Sequence, residues 1–261
     1  MAIIIKRLNF YAENNTVVDI IGAPFDLAGP ERGARLGPTA LRLAGLHEIF
    51  RFHGIEYKDH GDLSISLEKK DPEKSLNGYT CGLPAYKKIT KAVNDSIRRE
   101  RTPLVLGGDH SISIGSISAA LRFYKSDLAV LWIDAHADLN TPQSSPSGNL
   151  HGMPLAALMG FPSGKRGIEH EQWKAIQEKV IGSDFIKREH MAWVGLNDVD
   201  PTEIEAVDSM PEAFTISTHS LEKLGMAEVM NKFSQWMFRS NCKHIWVSFD
   251  IDCLDTSIAV R

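Results

Sequence analysis

The chain has 261 residues, 43% of them hydrophobic, with a formal net charge of −4 and three cysteines. Such a length suits one large α/β domain with a sizeable core, so residues 1–261 are expected to form a single domain. The charge, with no dense Lys/Arg patch interleaved with aromatics, argues against a nucleic acid or an acidic membrane as partner.

Short apolar runs rich in β-branched residues alternate with longer stretches of helical period, the pattern of βαβ units around a parallel sheet. In chain order, strands are predicted at 17–21, 55–59, 103–106, 128–133, 191–195, 214–217 and 244–249. Helices are predicted at 39–50, 84–100, 111–124, 171–180, 201–207 and 227–239. The fold class is therefore α/β, three layers with a mostly parallel central sheet. Lys87-Lys88 and Arg98-Arg99-Glu100-Arg101 read as the solvated face and last turn of a helix. Before Lys6-Arg7 the N-terminal segment has, after Met1, only four apolar residues in a row, too few for a signal-peptide core, and no stretch approaches a membrane span. Cys81, Cys242 and Cys253 are widely spaced without a C-x-x-C, which suits reduced thiols and gives no zinc-thiolate site. A cytoplasmic protein is expected, with a short organelle-targeting leader left open.

Three predicted strands empty into metal-ligand chemistry. The run 103–106 leads into Gly107-Gly108-Asp109-His110, the run 128–133 into Asp134-Ala135-His136-Ala137-Asp138, and the last strand into Asp250-Ile251-Asp252. On an extended chain, alternate side chains share a face, so Asp134, His136 and Asp138 are expected to project together. Ligands of an open parallel sheet bind outside the carboxyl ends of the strands, where all three clusters fall. Neither a GxGxxG fingerprint nor a Walker A sequence is present to suggest a nucleotide. Four carboxylates packed closely repel one another unless cations intervene. The set His110, Asp134, His136, Asp138, Asp250 and Asp252 exceeds one tetrahedral zinc and suits two metals bridged by carboxylates; its lack of thiolate favours manganese. His151, in the polar loop 140–152, is the nearby histidine left for proton transfer. Asp200, Pro201 and Glu203 have the spacing of a helix capping box, a role compatible with presenting a carboxylate to a substrate ammonium.

With these residues assembled, the chain resembles the ureohydrolase family and, within it, the arginases. Gly-Gly-Asp-His-Ser at 107–111, Asp-Ala-His-Ala-Asp at 134–138, Ser-Gly-Asn-Leu-His-Gly at 147–152 and Ser-Phe-Asp-Ile-Asp-Cys-Leu-Asp at 248–255 carry the resemblance, supported by Ile-Ile-Gly-Ala-Pro at 20–24. It implies a centre of two Mn2+ ions, one held by His110, Asp134, Asp138 and Asp250, the other by His136, Asp134, Asp250 and Asp252. It implies a bridging hydroxide, oriented by Asp138, that attacks the guanidinium carbon of L-arginine, with His151 shuttling the proton that releases ornithine beside urea. Asn140, Ser145, Ser147 and Asn149 match positions that bind the substrate α-carboxylate, and Asp200 and Glu203 match those facing its α-amino group. Agmatine lacks that carboxylate, so arginine is the expected substrate over agmatine. A homo-oligomer, trimer or hexamer, and a place in arginine metabolism and the urea cycle are further implications.

The chain departs from the arginase pattern at Asn197, where Arg is usual, at Thr202, where Gly is usual, and at Thr256, where Pro is usual. Beyond Arg261 the family continues with a Glu that holds the guanidinium and with a further strand and helix inside the fold. Relative to the family, the chain is therefore expected to be truncated at its C-terminus, with exposed backbone beside the lost strand, weak manganese binding and little or no activity alone. Another ureohydrolase activity, or a non-catalytic role through association with complete subunits, are the alternatives.

Overall fold

Among the described residues, seven of the eight strands overlap segments predicted from sequence, six of them on apolar runs, and the seven pair in parallel with one another, while β3 is polar and lies two to three residues beyond the predicted 55–59. The computed structural model describes residues 2–6, 17–68, 70–255 and 257. Its strands are β1 (Ala2–Lys6), β2 (Val18–Ala23), β3 (Tyr57–Asp62), β4 (Thr102–Gly107), β5 (Leu128–Ile133), β6 (Met191–Leu196), β7 (Phe214–Ser217) and β8 (His244–Phe249). The helices are α1 (Gly37–Leu43), α2 (Leu46–Phe52), α3 (Tyr79–Arg98), α4 (Ser113–Tyr124), α5 (Pro154–Leu158), α6 (Ile168–Ile176), α7 (Pro201–Asp208), α8 (Thr218–Leu224) and α9 (Met226–Ser240). One sheet runs β3-β2-β4-β1-β8-β5-β6-β7.

Alternation along the strands builds two apolar layers. From β5, Leu128, Val130 and Trp132 face the layer of α3 to α6, while Ala129 and Leu131 join Val229, Phe233 and Trp236 of α9 on the other face. From β2, Ile21 and Ala23 face the first layer, and Val18 and Ile20 pack near Leu41, Leu46 and Phe50 of α1 and α2. Helix α3 inserts Ala85, Ile89, Val93 and Ile97, spaced four apart, into the first layer. Among the described residues no helix is long and apolar enough to cross a membrane.

The structure differs from the sequence reading at several places, among them the short helices α5 and α8, which were not predicted. The helix predicted at 39–50 is two helices, because Gly45 sits in the left-handed region at φ 97° and interrupts the hydrogen-bond ladder. Helix α3 starts at Tyr79 rather than near Pro84: the Asp71 carboxylate accepts from the N–H groups of Gly78 and Thr80, both at 2.7 Å, and caps the extra turn. The segment after α6 continues as a π-helical turn, Gln177–Ile181. Finally, Ala2–Lys6 forms a strand that was not predicted.

That strand lies inside the sheet. It pairs antiparallel with β4 through Ala2–Val105 and Ile3–Leu104, and with β8 through the register from Ala2–Ser248 to Lys6–His244. The facing edges of β4 and β8 are thus both paired, because a five-residue segment supplies each with a backbone partner. Of the residues after Asp255, only Ser257 is among the described residues.

A polar cluster ties α1 and α2 to β3. Arg42 donates to Asp59 at 2.7 and 2.9 Å and to Asp62 at 2.5 Å, and His47 meets Asp59 at 2.7 Å. Burial opposes the Asp59 charge, yet Arg42, the Gly61 N–H and His47 hold its pKa down to about 2.

Two outcomes follow. With neighbours on both sides, proline in β1 removes a ladder donor, so Ile4→Pro is expected to cost on the order of 2–3 kcal/mol and lower the melting temperature by about 5–10 °C. An unchanged melting curve would mean that β1 is dispensable to the sheet. For Asp59, the folded pKa lies below the unfolded value, so its stabilisation is complete above about pH 4 and is lost as pH falls towards about 2. Urea unfolding should therefore show Asp59→Asn less stable than the parent at pH 6, with the gap closing below pH 4.

Candidate metal centre

Strands β4, β8 and β5 end at the same side of the sheet, with β1 between β4 and β8, and their backbone connections gather six ligand-type side chains. After β4, Gly108 passes so close to β2 that a Cβ there would lie 2.3 Å from the Phe25 carbonyl, and Asp109 N–H donates to that same carbonyl at 2.7 Å. The Asp109 carboxylate accepts from Ser111 N–H at 3.1 Å and from Ala28 N–H at 2.9 Å, starting the turn that carries His110. After β5 and β8, Asp134 N–H donates to Val194 O at 3.1 Å and Asp250 N–H to Ile133 O at 2.8 Å.

The residues 134–138 do not continue as a strand. They bend after Ile133, and Asp138 takes φ +50°, a left-handed conformation that aspartate tolerates better than most residues. The alternation expected on an extended chain is therefore replaced by turns, which still gather Asp134, His136 and Asp138. The Asp138 conformation is pinned from both sides: Leu139 N–H donates to Glu203 Oε1 at 2.8 Å, and Leu155 N–H donates to the Asp138 carbonyl at 3.0 Å.

His110 Nδ1 lies 2.8 Å from Asp134 Oδ2, 3.2 Å from Asp250 Oδ2 and 3.3 Å from Asp138 Oδ2. His136 Nδ1 lies 3.0 Å from Asp252 Oδ2 and 3.3 Å from Asp134 Oδ1. Two groups able to hold an ion result, His110–Asp134–Asp250 and Asp134–His136–Asp252, each with its ligand atoms within 4.8 Å of one another and with Asp134 common to both. His110 Nδ1 and Asp134 Oδ2 are both buried. Ring nitrogens and carboxylate oxygens converging in two such groups fit two cations sharing Asp134.

The electrostatics show the same demand for positive charge. Burial opposes protonation of His110, but Asp134, Asp138 and Asp250 hold its pKa well above the usual histidine value. Hydrogen bonds to Asp134 and then Asp252 raise His136 to about 11. Burial would raise Asp134, yet the two histidines draw it well below the carboxylate range. Burial and the charge of Asp134 push Asp138 up to about 8. The carboxylates that raise these histidine pKa values would equally attract divalent cations.

All the remaining predicted site residues line one cavity of about 340 Å³ with these ligands: Asn140, Ser145, Ser147, Asn149, His151, Asp200 and Glu203. Asn140 donates through Nδ2 to Asp200 at 3.0 Å and accepts from Ser144 Oγ at 2.8 Å. The Ser145 hydroxyl accepts from Gly148 N–H at 3.0 Å, and that of Ser147 from Asn149 N–H at 3.2 Å. Burial, then the charges of His136 and His110, lower the His151 pKa. Glu203 is 4% exposed; besides Leu139 it accepts from Asp200 N–H at 3.3 Å, the return half of the capping box. It holds the loop that carries Asp138.

Sequence reasoning missed the groups that orient these ligands. Ser248 Oγ sits 2.8 Å from His110 Nε2, and Trp132 stacks on the His110 ring with centroids 3.9 Å apart, so Nδ1 is directed at the carboxylates. Ser248 was legible, since it stands two residues before Asp250 on one strand face. Asn77 left no such signal: it donates to Asn149 Oδ1 at 2.8 Å and to Ser147 O at 3.0 Å from a loop some seventy positions earlier.

A sequence profile described as "Arginase family" matches residues 16–260. The arginase of Staphylococcus aureus strain COL is 39% identical over 243 residues, covering 91% of this chain and 76% of that protein. For the arginase of Bacillus subtilis strain 168 the identity is 35% over 243 residues, covering 93% and 77%. The crystal structure of arginase from Bacillus cereus superimposes with a TM-score of 0.77 at 32% identity, over 93% of this chain and 77% of that one. Likeness of this extent, spanning every acidic strand end and the layered fold that presents them, means that the chain belongs to the arginase family.

Proposed function

We propose that the chain is a single-domain, manganese-dependent hydrolase that converts L-arginine to L-ornithine and urea. The observation that carries this reading is the convergence of two ligand groups, His110–Asp134–Asp250 and Asp134–His136–Asp252, on the buried Asp134 that they share. His110, Asp134, Asp138 and Asp250 would hold one ion, and His136, Asp134, Asp250 and Asp252 the other. When bound, two divalent cations supply Lewis acidity and allow water to act as a nucleophile at neutral pH.

The chain's own residues then divide the work. Asp138, fixed in its left-handed turn, offers a carboxylate oxygen to hydrogen-bond the nucleophile. His151 lines the same cavity and suits a shuttle that first takes up a proton and then passes it to the departing amine. Asn149, Ser145 and Ser147 offer donors at the cavity rim for the α-carboxylate of arginine, joined by the amide of Asn140, and Asp200 offers its carboxylate to the α-ammonium. Donors arranged for a carboxylate are left unpaired by agmatine, which penalises that amine against arginine. Glu203 acts through Leu139 and Asp200, whose N–H groups it accepts.

Metal analysis tests the centre without relying on turnover. The chain loaded with manganese should carry two ions per chain, and Asp134→Asn, which removes the ligand common to both groups, should carry fewer than one. Retention of two ions by that variant would remove the shared-ligand arrangement. Turnover is tested by urea release with manganese. Faster release from arginine than from agmatine supports the reading and overturns the expectation that this chain is inactive alone; no release from a chain carrying both ions overturns the catalytic reading. In an active preparation, His151→Asn should lower kcat by about a hundredfold or more at unchanged metal content, the contribution typical of a positioned proton donor.

A further inference from the structure

Away from the metal centre, α3, the last turn of α4 and the π-helical turn 177–181 meet around a groove of about 380 Å³ that shares no lining residue with the catalytic cavity. One wall is the α3 row Lys87, Lys91, Asn94 and Arg98, which stacks on one face because the positions are three or four apart. Arg122 and Lys179 form the other. Both walls are therefore cationic. Asp95 is the one carboxylate in the lining, and Lys91 already holds it at 2.6 Å.

A packing cleft without a ligand usually sets opposite charges across from one another, since like charges repel and gain nothing by facing. Here, among the described residues, Lys87, Arg98 and Lys179 have no ion-pair partner, although the chain as a whole has net charge −4. Arg122 is also fixed in place: its Nε donates to Ile181 O at 3.3 Å and its Nη2 to Val180 O, so the π-helical turn and the guanidinium hold each other beside the groove. Asn94 adds a polar group to the wall. Sequence alone gives Lys87 and Arg98 as part of a solvated helix face. The structure instead makes them one side of a concave, two-sided cationic site, of a volume that suits a small ligand.

We propose that this groove binds a small anion bearing two or more phosphate-type charges. Lys87, Lys91, Arg98 and Lys179 supply charge-assisted contacts, and Arg122 a pre-oriented guanidinium edge.

The probe is pyrophosphate, titrated into the full chain by calorimetry in metal-free buffer at 0.1 M salt, where no cation at the catalytic site can capture it. One site with a Kd below about 0.1 mM is expected. The triple variant Lys87→Ala, Arg98→Ala, Lys179→Ala should bind at least about tenfold more weakly, having lost several charge-assisted contacts. All three side chains are exposed, so folding should be kept. Asp95→Asn should bind several-fold more tightly, a gain that damage to the fold cannot imitate. Absence of binding at 1 mM, or equal binding by parent and triple variant, overturns the proposal. Citrate binding as tightly as pyrophosphate overturns the phosphate class.

Discussion

Everything at the carboxyl end of this sheet answers to one constraint: four aspartates crowd a space in which they cannot all carry charge unaided. Two carboxylates about 4 Å apart repel by roughly 4 kcal/mol at an effective dielectric of 20, a large share of the stability of an ordinary domain. The fold does not relieve this by spacing the groups out. It buries Asp134 and Asp138 and brings His110 and His136 against them, so the cluster keeps a standing demand for positive charge. The architecture around the cluster serves to hold that unfavourable arrangement. Parallel strands fix where Asp134 and Asp250 emerge, Ser248 and Trp132 turn the His110 ring, and Glu203 locks the left-handed turn at Asp138.

Such a site can be read from sequence to the extent that its determinants are local. Strands buried on both faces give continuous apolar runs, and chemistry placed directly after them stands out, so the six metal-ligand candidates and the seven other predicted residues meet in one cavity. The manner in which they meet was less legible. Asp134, His136 and Asp138 alternate as a strand would, yet converge through bends, because the positive φ at Asp138 is imposed by Glu203 far along the chain. The start of α3 depended on Asp71 reaching forward to Gly78 and Thr80, a cap that propensity counting from Pro84 does not see. Asn77, which holds the loop bearing Asn149, is set by contacts with no periodic signature.

The outer surfaces teach a complementary lesson about charge. A row of lysines and arginines at helical spacing is, by itself, a solvated face. What changes its meaning is the element opposite: Arg122 at the end of α4 and Lys179 on the π-helical turn turn the α3 row into half of an enclosure. A linear sequence contains both halves but not their juxtaposition.

The place of β1 in the sheet has a bearing on how the molecule comes to be made. Residues 2–6 lie between residues 104–105 and residues 244–248, so the sheet is stitched across nearly the entire length of the chain. Contacts of such long range form late and slow folding, because the loop entropy must be lost before the pairing returns anything. During synthesis the first strand emerges long before β8 exists. It can add to β4 alone, leaving its other edge bare until residues 244–248 arrive, and a bare strand edge in a half-assembled sheet is a surface on which neighbouring chains aggregate.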